Sequence, residues 1–172
     1  MSNRTVAFRG NDFPLDGPEL KAGDKAPDFK LQGSVADGLP EITLADFAGK
    51  TLLLSVVPSL DTPVCATQTK KFNESAAQLP ENVAVVTVST DLPFAQSRFC
   101  GAEGVDKLKF ASDHRDVNFG RAYGVLIAGG VVERILSRAI FVVGPDGNLK
   151  HVEYVPLISD EPNYEAALAA VK

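Results

Sequence analysis

What most restricts the fold of this chain is the order in which its apolar segments arrive. Thr51 to Val57 (TLLLSVV) is an almost continuous apolar run. It is followed by Ala66 to Leu79, rich in helix formers with Phe72, Ala76 and Leu79 at i, i+4 and i+7, and then by a second apolar run, Val83 to Ser89 (VAVVTVS). Runs of this length read as strands buried on both faces, and the stretch between them has the helical period. Pro93 to Cys100 is a short helical candidate, Lys107 to Ala111 a short strand, and Asp116 to Gly124 a helix closed by its glycine. Ile135 to Val143 and Asn148 to Val155 read as two strands joined by Gly144-Pro145-Asp146-Gly147, with Asn163 to Val171 as a terminal helix. Strands alternating with helices and ending in a hairpin plus helix predict an α/β layer fold, a central mixed β-sheet flanked by helices.

Upstream, residues 1–25 are punctuated by Gly, Pro and Asp and predict an N-terminal β-hairpin, around Thr5 to Phe8 and Phe13 to Leu20, packed on a domain that starts near Ala26. With no internal repeat and no long linker, residues 1–172 are expected to form a single domain with that hairpin as an extension. A chain of 172 residues, 45% hydrophobic and 23% charged, buries roughly 70% of its unfolded surface, enough for a core without structural disulfides or metal. This composition excludes intrinsic disorder and a cysteine-stapled scaffold. Seventeen Lys+Arg against 22 Asp+Glu leave a net charge of -5, which argues against nucleic acid or anionic membrane as a partner. The N-terminus has no uninterrupted apolar core of a signal peptide, and no apolar run is long enough to span a bilayer. The expected address is the cytoplasm, where two cysteines are more often reactive, metal-binding or buried than permanently bridged.

The chemistry concentrates in Val57-Pro58-Ser59-Leu60-Asp61-Thr62-Pro63-Val64-Cys65, between a strand and a helix. Thr62 suits the N-cap and Pro63 the first helical position, where a missing N–H costs nothing. Cys65 then lies in the first helical turn, where free N–H groups and the positive end of the helix dipole favour a thiolate, the nucleophilic form. Pro58 is expected to fix the loop and shield the sulfur, and the Thr62 hydroxyl to donate to the sulfur or to an incoming oxygen. On spacing alone, an ordinary helix start with Cys65 as a small buried apolar residue explains the same letters equally.

Pro58-x-x-x-Thr62-x-x-Cys65, after an apolar strand and opening a helix, resembles the peroxidatic-cysteine motif of peroxiredoxins. The fuller PSLDTPVC, with a second cysteine at Cys100, resembles the bacterial thiol peroxidase (Tpx) subfamily of atypical 2-Cys peroxiredoxins, and the resemblance runs over nearly the whole chain. It implies a thioredoxin-like fold and the reduction of hydrogen peroxide and organic hydroperoxides. By the same resemblance Cys65 is the peroxidatic nucleophile and Cys100 the resolving thiol, closing a Cys65–Cys100 disulfide. Pro58, Thr62 and Arg138 complete the site, thioredoxin is the reductant, and the protein is a homodimer that uses no metal, haem or flavin.

Arg138 shares its alternation with Leu136, Ile140 and Val142, which puts a charge on an apolar face. An enclosed guanidinium needs an anionic or hydrogen-bonding partner, which the Cys65 thiolate would supply; the competing reading is an arginine reaching out to water. Cys100 ends a segment with helix-start signals at Asp91 and Pro93 and a stop at Gly101, which predicts a thiol at a frayed helix end that moves cheaply. A half-buried thiol beside Phe99 fits the same letters. Neither His114 nor His151 has zinc-ligand spacing to a cysteine, and both read as solvent-facing. Leu126-Ile127-Ala128 reads as an apolar loop at a substrate mouth or a subunit contact. Two rival functions share these residues: a thioredoxin-fold disulfide exchanger, weakened by the lack of Cys-x-x-Cys, and a non-catalytic binding module with two core thiols.

Overall fold

The computed structural model describes residues 3–172. At the N-terminus β1 (Thr5–Phe8) and β2 (Asn11–Asp16) form the expected hairpin. Its two-residue turn, Arg9-Gly10, has positive φ at both positions, 48° and 78°, the turn geometry that matches the twist of the flanking strands. The chain continues through β3 (Lys30–Gln32), β4 (Glu41–Thr43), a 3₁₀ turn (Leu44–Phe47), β5 (Thr51–Val56), α1 (Pro63–Ala76), β6 (Val83–Ser89), α2 (Pro93–Glu103) and β7 (Lys109–Ser112). It ends with α3 (Asn118–Ala122), β8 (Leu126–Ile127), β9 (Ala139–Val143), β10 (Leu149–Tyr154) and α4 (Tyr164–Ala170).

The central sheet is mixed and seven-stranded, in the order β10-β9-β5-β6-β7-β3-β4. β5 runs parallel to β6 and β6 to β7, with helices as the crossovers, while β9 is antiparallel to β5 and β10 to β9. Every residue of β5 is buried, as expected of a central strand covered on both faces. Its side chains alternate between two apolar clusters. Leu52, Leu54 and Val56 join Phe119, Tyr123 and Phe141 on one side, and Leu53 joins Phe72, Ile140, Val142 and Ala167 on the other. A third cluster, containing Val57, Leu60, Cys65, Phe99 and Phe110, seats α2 against the start of α1.

Three sequence expectations change. The paired strands β3 and β4 lie where no element is expected; three residues each, they carry no alternation to read and extend the sheet beyond β7. Leu126 and Ile127 are 4% and 0% exposed and form β8 against Leu15 and Asp16 of β2, so they face neither a substrate mouth nor a second subunit. Finally, α2 runs past Gly101 to Glu103 and stops at Gly104, whose left-handed φ of 66° closes the helix by an N–H to the Cys100 carbonyl. Cys100 is therefore built into the last full turn and is not frayed.

Candidate active site

β5 ends at Val56 and the chain turns through Pro58, which is buried, to Thr62 and Pro63 at the mouth of α1. Thr62 is the N-cap residue, with φ -110° and ψ 148°, and Pro63 occupies the first turn. Cys65 sits in the same turn with none of its surface exposed. The buried stripe of α1 consists of Cys65, Gln68, Thr69 and Phe72, so the cysteine continues the apolar face that Phe72, Ala76 and Leu79 announce in the sequence, two turns earlier.

The Thr62 hydroxyl differs from expectation. It donates to the Ser59 carbonyl at 2.8 Å and makes no cap bond within α1. With its single hydrogen committed there, toward any bound oxygen Thr62 acts as an acceptor.

Arg138 comes from the residue that precedes β9 and is 1% exposed, which rules out the reading in which it reaches water. Its Nε and Nη2 both donate to the Ile158 carbonyl, at 3.1 and 2.7 Å, its Nη1 donates to Gln68 Oε1 at 2.8 Å, and Nη2 lies 3.4 Å from the Cys65 sulfur. Leu136 belongs to the opposite core face from Ile140 and Val142, because the strand proper begins only at Ala139. Gln68 is itself held, donating from Nε2 to Ser55 Oγ of β5 at 2.8 Å. The amide therefore acts as a spacer: β5 fixes Gln68, Gln68 fixes one arm of the guanidinium, and the other arm is aimed at the sulfur. Among the described residues no carboxylate lies within ion-pair distance of Arg138. The guanidinium is thus met by two neutral oxygens and the Cys65 sulfur, and its charge also reaches Glu161.

Cys100 is half-buried on α2 and, like Cys65, a free thiol. It packs on the cluster that contains Cys65 and Phe99 and lines a groove of about 700 Å³ between α2 and the segment that includes β4, a groove that Cys65 does not border. Burial pushes its thiol up to about 11, so Cys100 is held as a neutral thiol at physiological pH. A smaller depression of about 300 Å³ opens beside Thr62, Pro63, Ala66 and Phe99, rimmed by Asp61 and Arg98, which pair at 3.0 Å. His114 is partnered by Gln32 Oε1, and His151 is half-buried on β10. Among the described residues no three His, Cys, Asp or Glu side chains gather as a metal site.

Sequence reasoning brings together Cys65, Arg138, Thr62 and Pro58, and the structure places all four at one end of β5 and α1. It missed Gln68, Ser55 and the Ile158 carbonyl. Only Gln68 left a signal, an amide three residues after Cys65 on the buried stripe of an amphipathic helix.

A thiol enclosed at a helix start beside an arginine, on a thioredoxin-like sheet, defines a class. Residues 21–168 match the redoxin family, and the chain belongs to that family. It is 51% identical to a thiol peroxidase of Listeria innocua, over 97% of each chain, and 47% identical to a thiol peroxidase of Bacillus subtilis, over 97% of this chain and 96% of that one. The thiol peroxidases are thus the branch of the family in which it sits. A peroxiredoxin-like protein from Aquifex aeolicus superposes with a TM-score of 0.88 at 43% identity, covering 97% of this chain and 95% of that one. A thiol peroxidase from Chromobacterium violaceum, at 19% identity, shares the fold with a TM-score of 0.85, covering 98% and 95% of the two chains.

Proposed function

We propose that this chain is a thiol-dependent peroxidase that reduces hydrogen peroxide and organic hydroperoxides with Cys65 as the peroxidatic residue. The observation that carries the assignment is the Arg138 guanidinium, buried, with no carboxylate among the described residues within ion-pair distance, 3.4 Å from the Cys65 sulfur. The Cys65 thiolate attacks the terminal oxygen of the hydroperoxide; an S–O bond forms, the O–O bond breaks, and the departing oxygen takes a proton to leave as water or alcohol. Arg138 stabilises the charge that moves from sulfur to the leaving oxygen, and Thr62 accepts from the hydroperoxide O–H to orient it. Pro58 closes the floor of the site against water.

Cys100 then attacks the sulfenic acid, releasing water and forming the Cys65–Cys100 disulfide. Since Cys65 has no exposed surface and Cys100 is built into α2, that helix must release before the sulfurs bond. A dithiol donor of the thioredoxin type reduces the disulfide and is itself oxidised. The same reading includes a homodimer in the cytoplasm. In support of an apolar contact, Leu92 and Phe94 at the start of α2 are 51% and 62% exposed. No helix among the described residues is long and apolar enough to cross a membrane.

The test is mass mapping of the reduced protein after one equivalent of an organic hydroperoxide, beside thioredoxin-coupled consumption. A stoichiometric Cys65–Cys100 bridge with sustained turnover is the expected result. Cys65→Ser is expected to abolish consumption, and Cys100→Ser to permit one oxidation and then stall. Full activity in Cys65→Ser would refute the assignment.

A further inference from the structure

Besides their apolar faces and two exposed ion pairs, Lys70 with Glu103 and Asp61 with Arg98, the two cysteine-bearing helices are linked through a half-buried carboxylate, Asp91. Asp91 lies in the short connection between β6 and α2, two residues before Pro93 opens the helix that carries Cys100. Its side chain turns the other way, toward the segment that leads into α1. Oδ1 accepts from Ser59 Oγ at 2.8 Å, and Oδ2 accepts from the Leu60 N–H and from Ser89 Oγ, both at 2.8 Å. Its backbone is held as well, because the Asp91 carbonyl accepts from the Ser112 hydroxyl at the end of β7.

The link does not stop at Ser59. The Ser59 carbonyl accepts both the Thr62 hydroxyl, at 2.8 Å, and the Thr62 N–H, at 3.2 Å. A continuous chain of hydrogen bonds therefore runs from the foot of α2 through Asp91 and Ser59 to Thr62, three residues before Cys65. Hydrogen bonds to a carboxylate are stronger than those between neutral groups, and removing the acceptor leaves three donors to find new partners.

We infer that Asp91 is a positioning residue for the peroxide reaction. By fastening Ser59 and Leu60 to the foot of α2, it holds Thr62 and the first turn of α1 where Cys65 meets its substrate, and makes that geometry conditional on α2 being seated. The inference rests on the reading of Cys65 as the peroxide-reactive thiol. Its consequence is a division of labour between the two steps. The link favours oxidation of Cys65, which needs the seated site, and opposes disulfide formation, which needs α2 to part from it.

Rapid-quench mass spectrometry separates these steps when reduced wild-type, Asp91→Ala and Asp91→Asn proteins are mixed with hydrogen peroxide. In Asp91→Ala the sulfenic acid is expected to form about tenfold more slowly or worse, as misplacement of a reacting group predicts, while its conversion to the disulfide keeps or exceeds the wild-type rate. Asp91→Asn should recover most of the first step, since its amide oxygen can still accept from Leu60 and Ser89, and the Ser59 hydroxyl can reverse to accept from the amide. Two results would overturn the inference: a wild-type first step in Asp91→Ala, or both steps slowed by one common factor, the mark of a merely structural role. If Asp91→Ala does not fold, Ser59→Ala removes one donor only and is judged by the same split, a slower first step with the second preserved. Wild-type protein that forms no sulfenic acid at Cys65 would instead defeat the peroxidase assignment itself.

Discussion

At the scale of single residues, the chemistry turns on where each hydrogen is committed. Arg138 gives two N–H groups to the Ile158 carbonyl and one to Gln68, so the guanidinium reaches the sulfur without freedom to rotate away. Thr62 has spent its hydroxyl hydrogen on Ser59 and contributes no cap bond to α1. Thr62→Val should therefore cost less than about 1 kcal/mol of stability, the price of one exposed hydrogen bond, while slowing Cys65 oxidation by roughly tenfold or more through loss of the oriented oxygen. Urea titration beside stopped-flow peroxide consumption checks this, and equal losses of stability and rate would return Thr62 to an ordinary helix start. Cys65 and Thr62 were legible in the sequence because their positions follow from a strand, a proline and a helix period. The other partners of Arg138 were not: Cys65 was named for it, but Gln68 and the Ile158 carbonyl lie 70 and 20 residues away and meet it only in the folded chain.

Among the elements, α3 is the one whose stability should respond to pH. Its preceding residue, Val117, is in the left-handed region at φ 51° and offers no side-chain cap, so the N-terminal N–H groups are satisfied from a distance. Asp113, 1% exposed, accepts from the Phe119 N–H at 3.1 Å and the Gly120 N–H at 2.8 Å. Burial pushes its carboxyl up to about 6 from 3.8, against the pull of those two donors. Because the folded value lies above the unfolded one, the stability contribution is full below about pH 4 and is lost as pH rises through 6, a change of roughly 3 kcal/mol. The stability of the wild type relative to Asp113→Asn should fall by most of that amount between pH 4 and 7, measured by chemical denaturation. A difference that stays flat over this range would show that Asp113 does not titrate there. α2 carries the matching lesson about legibility. Gly101 reads as a helix stop, yet a glycine ends a helix only when the chain takes the left-handed turn there, and that turn falls at Gly104, where Val105 enters the apolar cluster around Phe99.

For the whole molecule, the two thiols are anchored in different ways. Cys65 is rooted at the end of β5, the fully buried centre of the sheet, whereas Cys100 belongs to a helix tied down by its apolar face, by Asp91 and by exposed ion pairs, Asp61 with Arg98 and Lys70 with Glu103. Exposed pairs of this kind each contribute about 1 kcal/mol or less. Conversion to the Cys65–Cys100 disulfide should therefore remove hydrogen-exchange protection from residues 93–103 and leave β5, β6 and β9 unchanged; equal loss across the sheet would mean that the whole fold opens. The sequence by itself determined the order of β5, α1, β6, α2, β7, α3, β9, β10 and α4, the mixed α/β layering, the N-terminal hairpin and the placement of Cys65 in the first turn of a helix. All of these follow from local periods, turn residues and caps. Only the tertiary structure decided that Arg138 is enclosed and meets Cys65, that Leu126 and Ile127 form a strand, and that Asp91 ties one cysteine's loop to the other's helix. Burial and long-range hydrogen bonds are properties of surfaces brought together, and no local pattern encodes which surfaces will meet.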